Sequence, residues 1–350
     1  MRTLDNLRIP VIQGGMGVGI SMGGLAGAVA KEGGMGVIST AGIGFREKDF
    51  WENSQAADRR ALEKEIRKAR EVSGGRGLIA INAMVATTSF EEMVPLACEL
   101  GIDAVISGAG LPLHLPELVK DYQVMIAPIV SSGRAAKTLL RMWKQRHGRT
   151  ADFIVVEGSL AGGHLGFSRE EAEEGKAKPL PEIVEDVVRE ADAAAEGEKK
   201  IPVFAAGGIF DGTDIRKALQ AGAFGVQIGT RFIATEECDA TQAFKNVILE
   251  ASHEDVRILR SPVGMPGRGL ATPLVEKASE DRVPPRRCIR CIKTCDPGRT
   301  PYCISRALIQ AYYGNYEEGL FFCGDNVGRV SEMTTVAALM EEFAREWRQN

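Results

Sequence analysis

Apolar segments recur along the first two thirds of the chain, and segments with helical periodicity separate them. The apolar segments are short and nearly continuous, which is typical of strands that are buried on both faces of a sheet. Eight strands are predicted: Pro10–Gln13, Gly36–Ser39, Leu78–Ala83, Ala104–Ser107, Val124–Ile129, Phe153–Glu157, Val203–Ala206 and Gly225–Ile228. Eight helices are predicted between and after them: Gly23–Lys31, Arg59–Val72, Phe90–Glu99, Leu115–Lys120, Arg134–Arg146, Pro181–Ala195, Asp214–Gln220 and Ala240–Ala251.

Eight strands that alternate with eight helices are the pattern of a (β/α)8 barrel, the TIM barrel. A miscounted strand would instead give a doubly wound sheet. We therefore predict an α/β fold with a barrel over residues 1–250.

The pattern changes after about residue 251, where Pro and Gly are frequent and strand-like runs are few. Residues 256–306 contain eleven Lys and Arg against four acidic residues, a local charge of +7, whereas the whole chain carries −4. Helices are predicted again over Ile304–Tyr312 and Thr334–Arg348. This layout predicts a smaller substrate or lid domain over 251–330 and a C-terminal helix over 331–350 that packs back on the barrel.

Composition narrows the class of protein. A charged content of 26% and a hydrophobic content of 44% describe a globular chain, and the net charge of −4 argues against a general nucleic-acid binder. Residues 11–30 are uncharged and long enough to span a bilayer, but seven of them are Gly, which favours a strand, a glycine loop and a buried helix. The seven cysteines are an odd number without a secretory signal, so we expect a cytoplasmic protein without a membrane span.

Candidate chemistry lies where predicted strands end, because barrel active sites form at that face. Gly207 and Gly208 follow the seventh strand, and Gly229 follows the eighth, a pattern that favours a phosphate cup, although such glycines also serve tight turns. His164 is the one histidine of four in a glycine loop at a strand end. It is a candidate general acid or base, the alternative being a loop histidine bonded to a backbone carbonyl.

Four strings at these strand ends resemble the nitronate monooxygenase family, formerly called 2-nitropropane dioxygenases, which includes enoyl-acyl-carrier-protein reductase II. They are IQGGMG (12–17), EGSLAGGHLG (157–166), AAGGIFDG (205–212) and VQIGTRF (226–232). The resemblance implies an FMN-bound barrel with a smaller substrate domain. It implies that His164 is catalytic, that Gln13, Gly14, Met16 and Asn82 lie at the flavin ring, and that Glu157 and Gly163 contact the flavin. It further implies that Ala206, Gly207, Gly208, Gln227, Gly229 and Thr230 hold the ribityl chain and phosphate.

The resemblance implies two activities on small molecules. The first is FMN-dependent oxidation of alkyl nitronates by O2, in which His164 orients the nitronate or takes the α-proton of a neutral nitroalkane. The second is reduction of an enoyl thioester by NAD(P)H through FMN. A third hypothesis, from another class, is a non-enzymatic flavin-binding or redox-sensing protein. A homodimer is left open.

The last third of the chain departs from the family. Cys323-Gly324-Asp325-Asn326 stands where the family commonly has an AGQ-like string, so a carboxylate replaces an amide near the substrate. The spacing C-x2-C-x3-C-x7-C is compatible with a [4Fe–4S] cluster, with zinc, or with reduced structural thiols. The candidate metal ligands are Cys288, Cys291, Cys295 and Cys303. The basic residues around them either attract an anionic ligand or are solvated surface.

Overall fold

The computed structural model describes residues 2–195, 197 and 200–348, and it contains the predicted barrel. Eight parallel strands close in the order β1-β2-β3-β4-β5-β6-β8-β9. Their bounds are β1 (Val11–Gln13), β2 (Met35–Ser39), β3 (Leu78–Met84), β4 (Ala104–Gly108), β5 (Met125–Val130), β6 (Ile154–Glu157), β8 (Val203–Ala206) and β9 (Gly225–Ile228). The prediction of eight barrel strands is confirmed.

Helices surround the barrel, and all of the predicted ones are present with shifts at their ends. The helices are α1 (Gly23–Lys31), α2 (Ser54–Ser73), α3 (Phe90–Glu99), α4 (Leu115–Leu118), α5 (Gly133–His147), α6 (Arg169–Glu173), α7 (Leu180–Ala195), α8 (Gly212–Gln220), α9 (Thr230–Ile233), α10 (Gln242–Glu250), α11 (Pro273–Glu280), α12 (Ile304–Tyr312) and α13 (Val336–Arg348). The helices α6, α9 and α11 were not predicted. None of the described helices combines the length and the apolar character that crossing a bilayer would require.

Two layers of core hold the barrel together. Alternate strand residues face either the barrel interior or the surrounding helices. Ile12, Val37 and Ala80 belong to the interior cluster, whereas Val11, Ile38 and Ile79 pack in the cluster that the helices share. Because both faces of each strand are buried, the near-continuous apolar runs of the sequence are explained.

A second, three-stranded sheet lies outside the barrel, and the sequence analysis missed it. The antiparallel hairpin β10 (Val256–Arg260) and β11 (Pro266–Leu270) pairs through β11 with β7 (Gly163–His164), in the order β10-β11-β7. The prediction of few strand-like runs after residue 251 was therefore wrong at this place. Pro and Gly argue against a strand in sequence, but Gly269 is needed here because a Cβ would lie 2.4 Å from the Phe321 carbonyl oxygen.

The C-terminal helix α13 packs against α1 and α8 of the barrel, as the layout predicts. Phe343 and Leu339 of α13 are buried in the outer core cluster. Residues 349 and 350, the end of the predicted 331–350 segment, lie outside the described residues. The boundaries proposed at 250 and 330 remain predictions.

Candidate active site

The carboxyl ends of the barrel strands form the floor of a cavity of about 550 Å³. Since Leu78 and Ala80 face the interior, the next inward position on β3 is Asn82. The same alternation identifies one inward residue at or next to the end of each barrel strand, and all eight line the cavity. They are Gly14, Ser39, Asn82, Gly108, Ile129, Glu157, Ala206 and Gln227.

Most residues that the family resemblance implicated in flavin binding lie around this one cavity. They are Gly14, Met16, Asn82, Glu157, Gly163, Ala206, Gly207, Gly208, Gln227, Gly229 and Thr230. Gln13 differs, because its neighbour Ile12 faces the interior and the alternation turns Gln13 away from the cavity. Its amide donates to Ser21 Oγ at 2.8 Å and accepts from the Val37 N–H at 3.0 Å. Gln13 therefore supports the glycine loop from behind instead of lining the site.

The glycines after β8 have conformations that other residues rarely adopt. Gly207 has φ +90° and Gly208 has φ +83°, and a Cβ on Gly207 would lie 2.8 Å from the Gly158 carbonyl oxygen. The following helix, α8, offers fewer free N–H groups to a phosphate than the sequence suggested. The Asp211 side chain caps α8 by accepting from the N–H groups of Thr213 and Asp214, so those amides are already used. A phosphate here would depend on the glycine backbone instead of on the α8 terminus.

Two polar floor residues have no hydrogen-bond partner among the described residues, and they fit a bound flavin. The Gln227 Oε1 atom is buried without a hydrogen bond, which suits a donor on a bound group. Burial raises the pKa of Glu157 to about 8, so this carboxyl is mostly protonated at neutral pH and can donate a hydrogen bond. An unpartnered acceptor, a neutral carboxyl and glycines with exposed backbone are what a polar, anionic cofactor requires.

His164 lies at the edge of the cavity, on β7, where it pairs in register with Gly267 of β11. Its Nε2 atom is 2.7 Å from Ser261 Oγ, and its ring packs edge-on against Phe322 with centroids 5.1 Å apart. Burial lowers the pKa of His164 to about 4, so the imidazole is neutral at pH 7. The partner of His164 is a hydroxyl, and not the backbone carbonyl of the alternative hypothesis.

Residues 260–326, which we call the roof, cover the cavity. The apolar side chains Ile289, Ile304, Leu308 and Phe322 of the roof face the space above the floor. Backbone hydrogen bonds tie the roof to the loop after β3: the Lys293 N–H donates to the Ala86 carbonyl at 2.9 Å. The cavity therefore combines a polar floor with an apolar cover, which excludes water from anything bound between them.

Asp325 does not enter the cavity. Its carboxylate accepts from Arg268 Nη1 at 2.7 Å, and Arg268 Nη2 donates to the Ser159 carbonyl at 3.0 Å. The Arg268 side chain is only 8% exposed. Asp325, the departure from the family's AGQ-like string, is therefore one half of an ion pair within the roof. The other half, Arg268, also bonds the loop that carries His164.

The predicted metal site is not supported by the arrangement of the cysteines. Burial and nearby thiols raise the pKa values of Cys291 and Cys303. The other three cysteines act on Cys291, and Cys288 and Cys295 act on Cys303, so the four thiols are neighbours. However, the described part of the chain has no group of three or more His, Cys, Asp or Glu side chains placed to hold a metal ion. All of the cysteines are free.

Sequence reasoning missed several residues of the site. Ser39 could have been found, because it ends a strand in the same inward register as Asn82. Ser261, Arg268 and Phe322 carry no local signal. The pairing of β7 with a distant hairpin brings Ser261 and Arg268 to His164, and a bridge between Gly269 and Phe322 adds Phe322.

Comparison with known proteins identifies the family of this chain. The family model of nitronate monooxygenase matches residues 1–346. A probable nitronate monooxygenase of Staphylococcus saprophyticus is 26% identical over 316 residues, covering 80% of this chain and 81% of that protein. A 5-hydroxy-7a-methyl-1-oxo-octahydro-1H-indene-4-carboxyl-CoA dehydrogenase of Mycobacterium tuberculosis is 29% identical, covering 78% of this chain and 66% of that protein. The structure of FabK from Thermotoga maritima matches with a TM-score of 0.76 and 27% identity, covering 100% of this chain and 97% of that one.

The fold and the site thus define an FMN-dependent oxidoreductase. The chain belongs to the nitronate monooxygenase family, whose members act on small molecules.

Proposed function

We propose that this protein oxidises alkyl nitronates with O2. The observation that carries the proposal is the single cavity in which the flavin-compatible floor, the neutral His164 and the apolar roof meet. FMN, when bound, supplies the redox chemistry. The chain supplies binding, orientation and exclusion of water.

We propose that the floor residues hold the cofactor. The backbone of Gly207, Gly208 and Gly229 would bind the phosphate, and Thr230 would line the same end. The Thr230 hydroxyl already accepts from the Gly324 N–H at 2.9 Å, which leaves its O–H hydrogen for an anionic ligand. Glu157, Gln227 and Asn82 would meet the polar edge of the flavin, with Gly14, Met16, Gly163 and Ala206 in contact around it.

His164 would contact the substrate. A nitronate carries its negative charge on the nitro oxygens, and an N–H from a neutral imidazole can bind such an oxygen without a net charge in the buried site. The apolar side chains of the roof, Ile289, Ile304 and Leu308, would cover the alkyl part of the substrate.

One observation favours a second activity, reduction of an enoyl thioester with NAD(P)H. FabK, an enoyl-ACP reductase II, matches the whole chain, and the relative from Mycobacterium tuberculosis is named for a CoA substrate. Arg290 lies at the wall of the cavity and would suit the phosphate groups of such a carrier. The third hypothesis, a non-enzymatic flavin sensor, is not supported, because the chain is an oxidoreductase by family.

The deciding experiment is oxygen uptake by the FMN-loaded protein with propyl-2-nitronate and without NAD(P)H. We expect the FMN-loaded protein to consume oxygen rapidly and the flavin-free protein to consume none. If no oxygen is consumed, while NAD(P)H is oxidised when an enoyl thioester is added, the reductase is the function.

A cytoplasmic location, a homodimer and a [4Fe–4S] or zinc centre at the cysteines remain predictions. Metal analysis of anaerobically purified protein tests the metal centre.

A further inference from the structure

A serine far from His164 in sequence holds its imidazole ring. Ser261 follows β10 directly, is 6% exposed, and places its Oγ atom 2.7 Å from His164 Nε2. The pairing of β7 with β11 holds the His164 backbone, and the edge-on contact with Phe322 packs against the ring. The imidazole therefore has one defined orientation, and one of its two nitrogens is already bonded.

The hydrogen bonds at Ser261 favour one position for the hydrogen of the neutral His164 ring, because the Ser261 O–H then has an acceptor. The Val263 N–H donates to Ser261 Oγ at 3.3 Å, which fills one acceptor position of the hydroxyl. Within the described part of the chain, His164 Nε2 is the only acceptor seen for the O–H hydrogen of Ser261. A neutral imidazole that accepts at Nε2 carries its hydrogen at Nδ1.

The other ring nitrogen is available to a ligand. Among residues 2–195, 197 and 200–348, no hydrogen bond to Nδ1 of His164 is seen, and His164 lines the cavity. The group that His164 offers to a substrate is thus an N–H donor and not a lone pair. An N–H donor binds an anionic oxygen, whereas removal of a proton from carbon requires a free lone pair.

We propose that Ser261 is a positioning residue that holds His164 in the Nδ1–H form, so that the site accepts nitronates that are already ionised and does not deprotonate neutral nitroalkanes. This inference rests on the proposed function, which supplies the substrate class. Turnover of a nitronate exceeds that of the matching nitroalkane by on the order of a hundredfold, the contribution typical of a general base that is missing.

The test uses the FMN-loaded enzyme with Ser261→Ala and Ser261→Thr, and Ser73→Ala as the matched control. Ser73 is a fully buried serine whose hydroxyl donates to the Arg70 carbonyl in α2, away from the cavity. The chain has four histidines, so ¹⁵N-histidine NMR resolves each ring, and His164→Asn assigns the signal of His164. Propyl-2-nitronate and 2-nitropropane are the paired substrates.

In the wild type we expect His164 to carry its hydrogen on Nδ1 and none on Nε2. Ser261→Ala should give a mixture of tautomers, about a tenfold lower kcat on the nitronate with unchanged flavin content, and a smaller preference for nitronate over nitroalkane. Ser261→Thr keeps the hydroxyl and should restore the spectrum and the preference. Ser73→Ala should behave as the wild type does.

A wild-type spectrum with the hydrogen on Nε2 overturns the proposal, and so does Ser261→Ala with an unchanged tautomer and preference. Failure of the proposed function is distinguishable, because an enzyme that consumes no oxygen with nitronate still reports its His164 tautomer by NMR. In that case the spectrum alone decides whether Ser261 positions His164.

Discussion

The floor and the roof of the cavity are built by different rules. The floor consists of inward-facing residues at the ends of the barrel strands, so Asn82, Glu157 and Gln227 follow from strand alternation. The roof consists of residues 260–326, and contacts between distant segments place it over the floor. A family can therefore keep a cofactor site on the floor and change its substrate through the roof.

The largest expected effect comes from the floor. Gly207→Val puts a β-branched residue at φ +90°, with its Cβ 2.8 Å from the Gly158 carbonyl oxygen, so the loop after β8 must move. We expect at least a hundredfold weaker FMN binding, or about 3 kcal/mol, measured by titration of the flavin-free protein with FMN. The roof should remain folded.

Gly148→Val is the matched control, because Gly148 also has positive φ, at +63°, but has no atom within 4 Å of its Cβ position and caps α5 outside the cavity. It should lose about 1–2 kcal/mol of stability and keep its FMN affinity. Normal FMN binding by Gly207→Val would show that the end of β8 does not hold the flavin.

The next largest effect is a loss of stability in the roof, and it tests the ion pair between Asp325 and Arg268. Asp325→Ala leaves the buried Arg268 guanidinium without its carboxylate, and removal of one partner of such a pair typically costs 3–5 kcal/mol. Because Asp325 is 26% exposed, we expect the lower end, about 3 kcal/mol, by urea unfolding of the flavin-free protein. Nitronate turnover should fall too, since Arg268 also holds the Ser159 carbonyl of the loop that carries His164.

Asp325→Asn keeps an acceptor for Arg268 and should lose less stability than the alanine variant. Glu318→Ala removes a more exposed ion pair of the same segment, with Arg306, and should change stability little. Equal losses in Asp325→Ala and Glu318→Ala would show that the Arg268 pair does not hold the roof.

A smaller expected effect is the pH dependence of stability that Glu157 of the floor causes. Folded Glu157 keeps its proton up to a pKa of about 8, whereas an unfolded glutamate loses its proton near a pKa of about 4.3. Between these values the unfolded chain binds fewer protons, so stability falls as pH rises, by at most about 1.4 kcal/mol per pH unit from this group. Glu157→Gln should remove this part of the slope in the flavin-free protein.

Urea unfolding at pH 5, 6.5 and 8 measures the slope. Asp58, whose pKa burial raises to about 7, leaves a residual slope in the variant, and exposed Glu185→Gln should match the wild type. A wild-type slope in Glu157→Gln would show that Glu157 is ionised in the folded floor.

The predictability of the two regions follows from the range of the interactions that build them. Strand runs, glycine loops and the place of His164 at a strand end were predicted because each depends on a few consecutive residues. The hairpin Val256–Leu270 was missed because Pro266, Gly267 and Gly269 suit it only through their pairing partners. The face that Gln13 occupies could not be predicted, because motif resemblance gives proximity to the cofactor and not the face of the strand.

The smallest expected effect concerns the cysteines of the roof. Cys288 is exposed, and its sulfur accepts only the Arg290 N–H at 3.3 Å among the contacts described, while backbone bonds to Ala86 and Thr88 hold the loop. Cys288→Ser should therefore change the unfolding free energy by no more than about 0.5 kcal/mol, as an ordinary surface substitution does. Urea unfolding and metal analysis are made on the same anaerobic sample, with exposed Ser279→Ala as the control of similar size. Cys288→Ser would instead lose several kcal/mol of stability, together with bound iron or zinc, if the cysteines hold a metal. That outcome would restore the metal prediction and show that the roof folds around a metal centre.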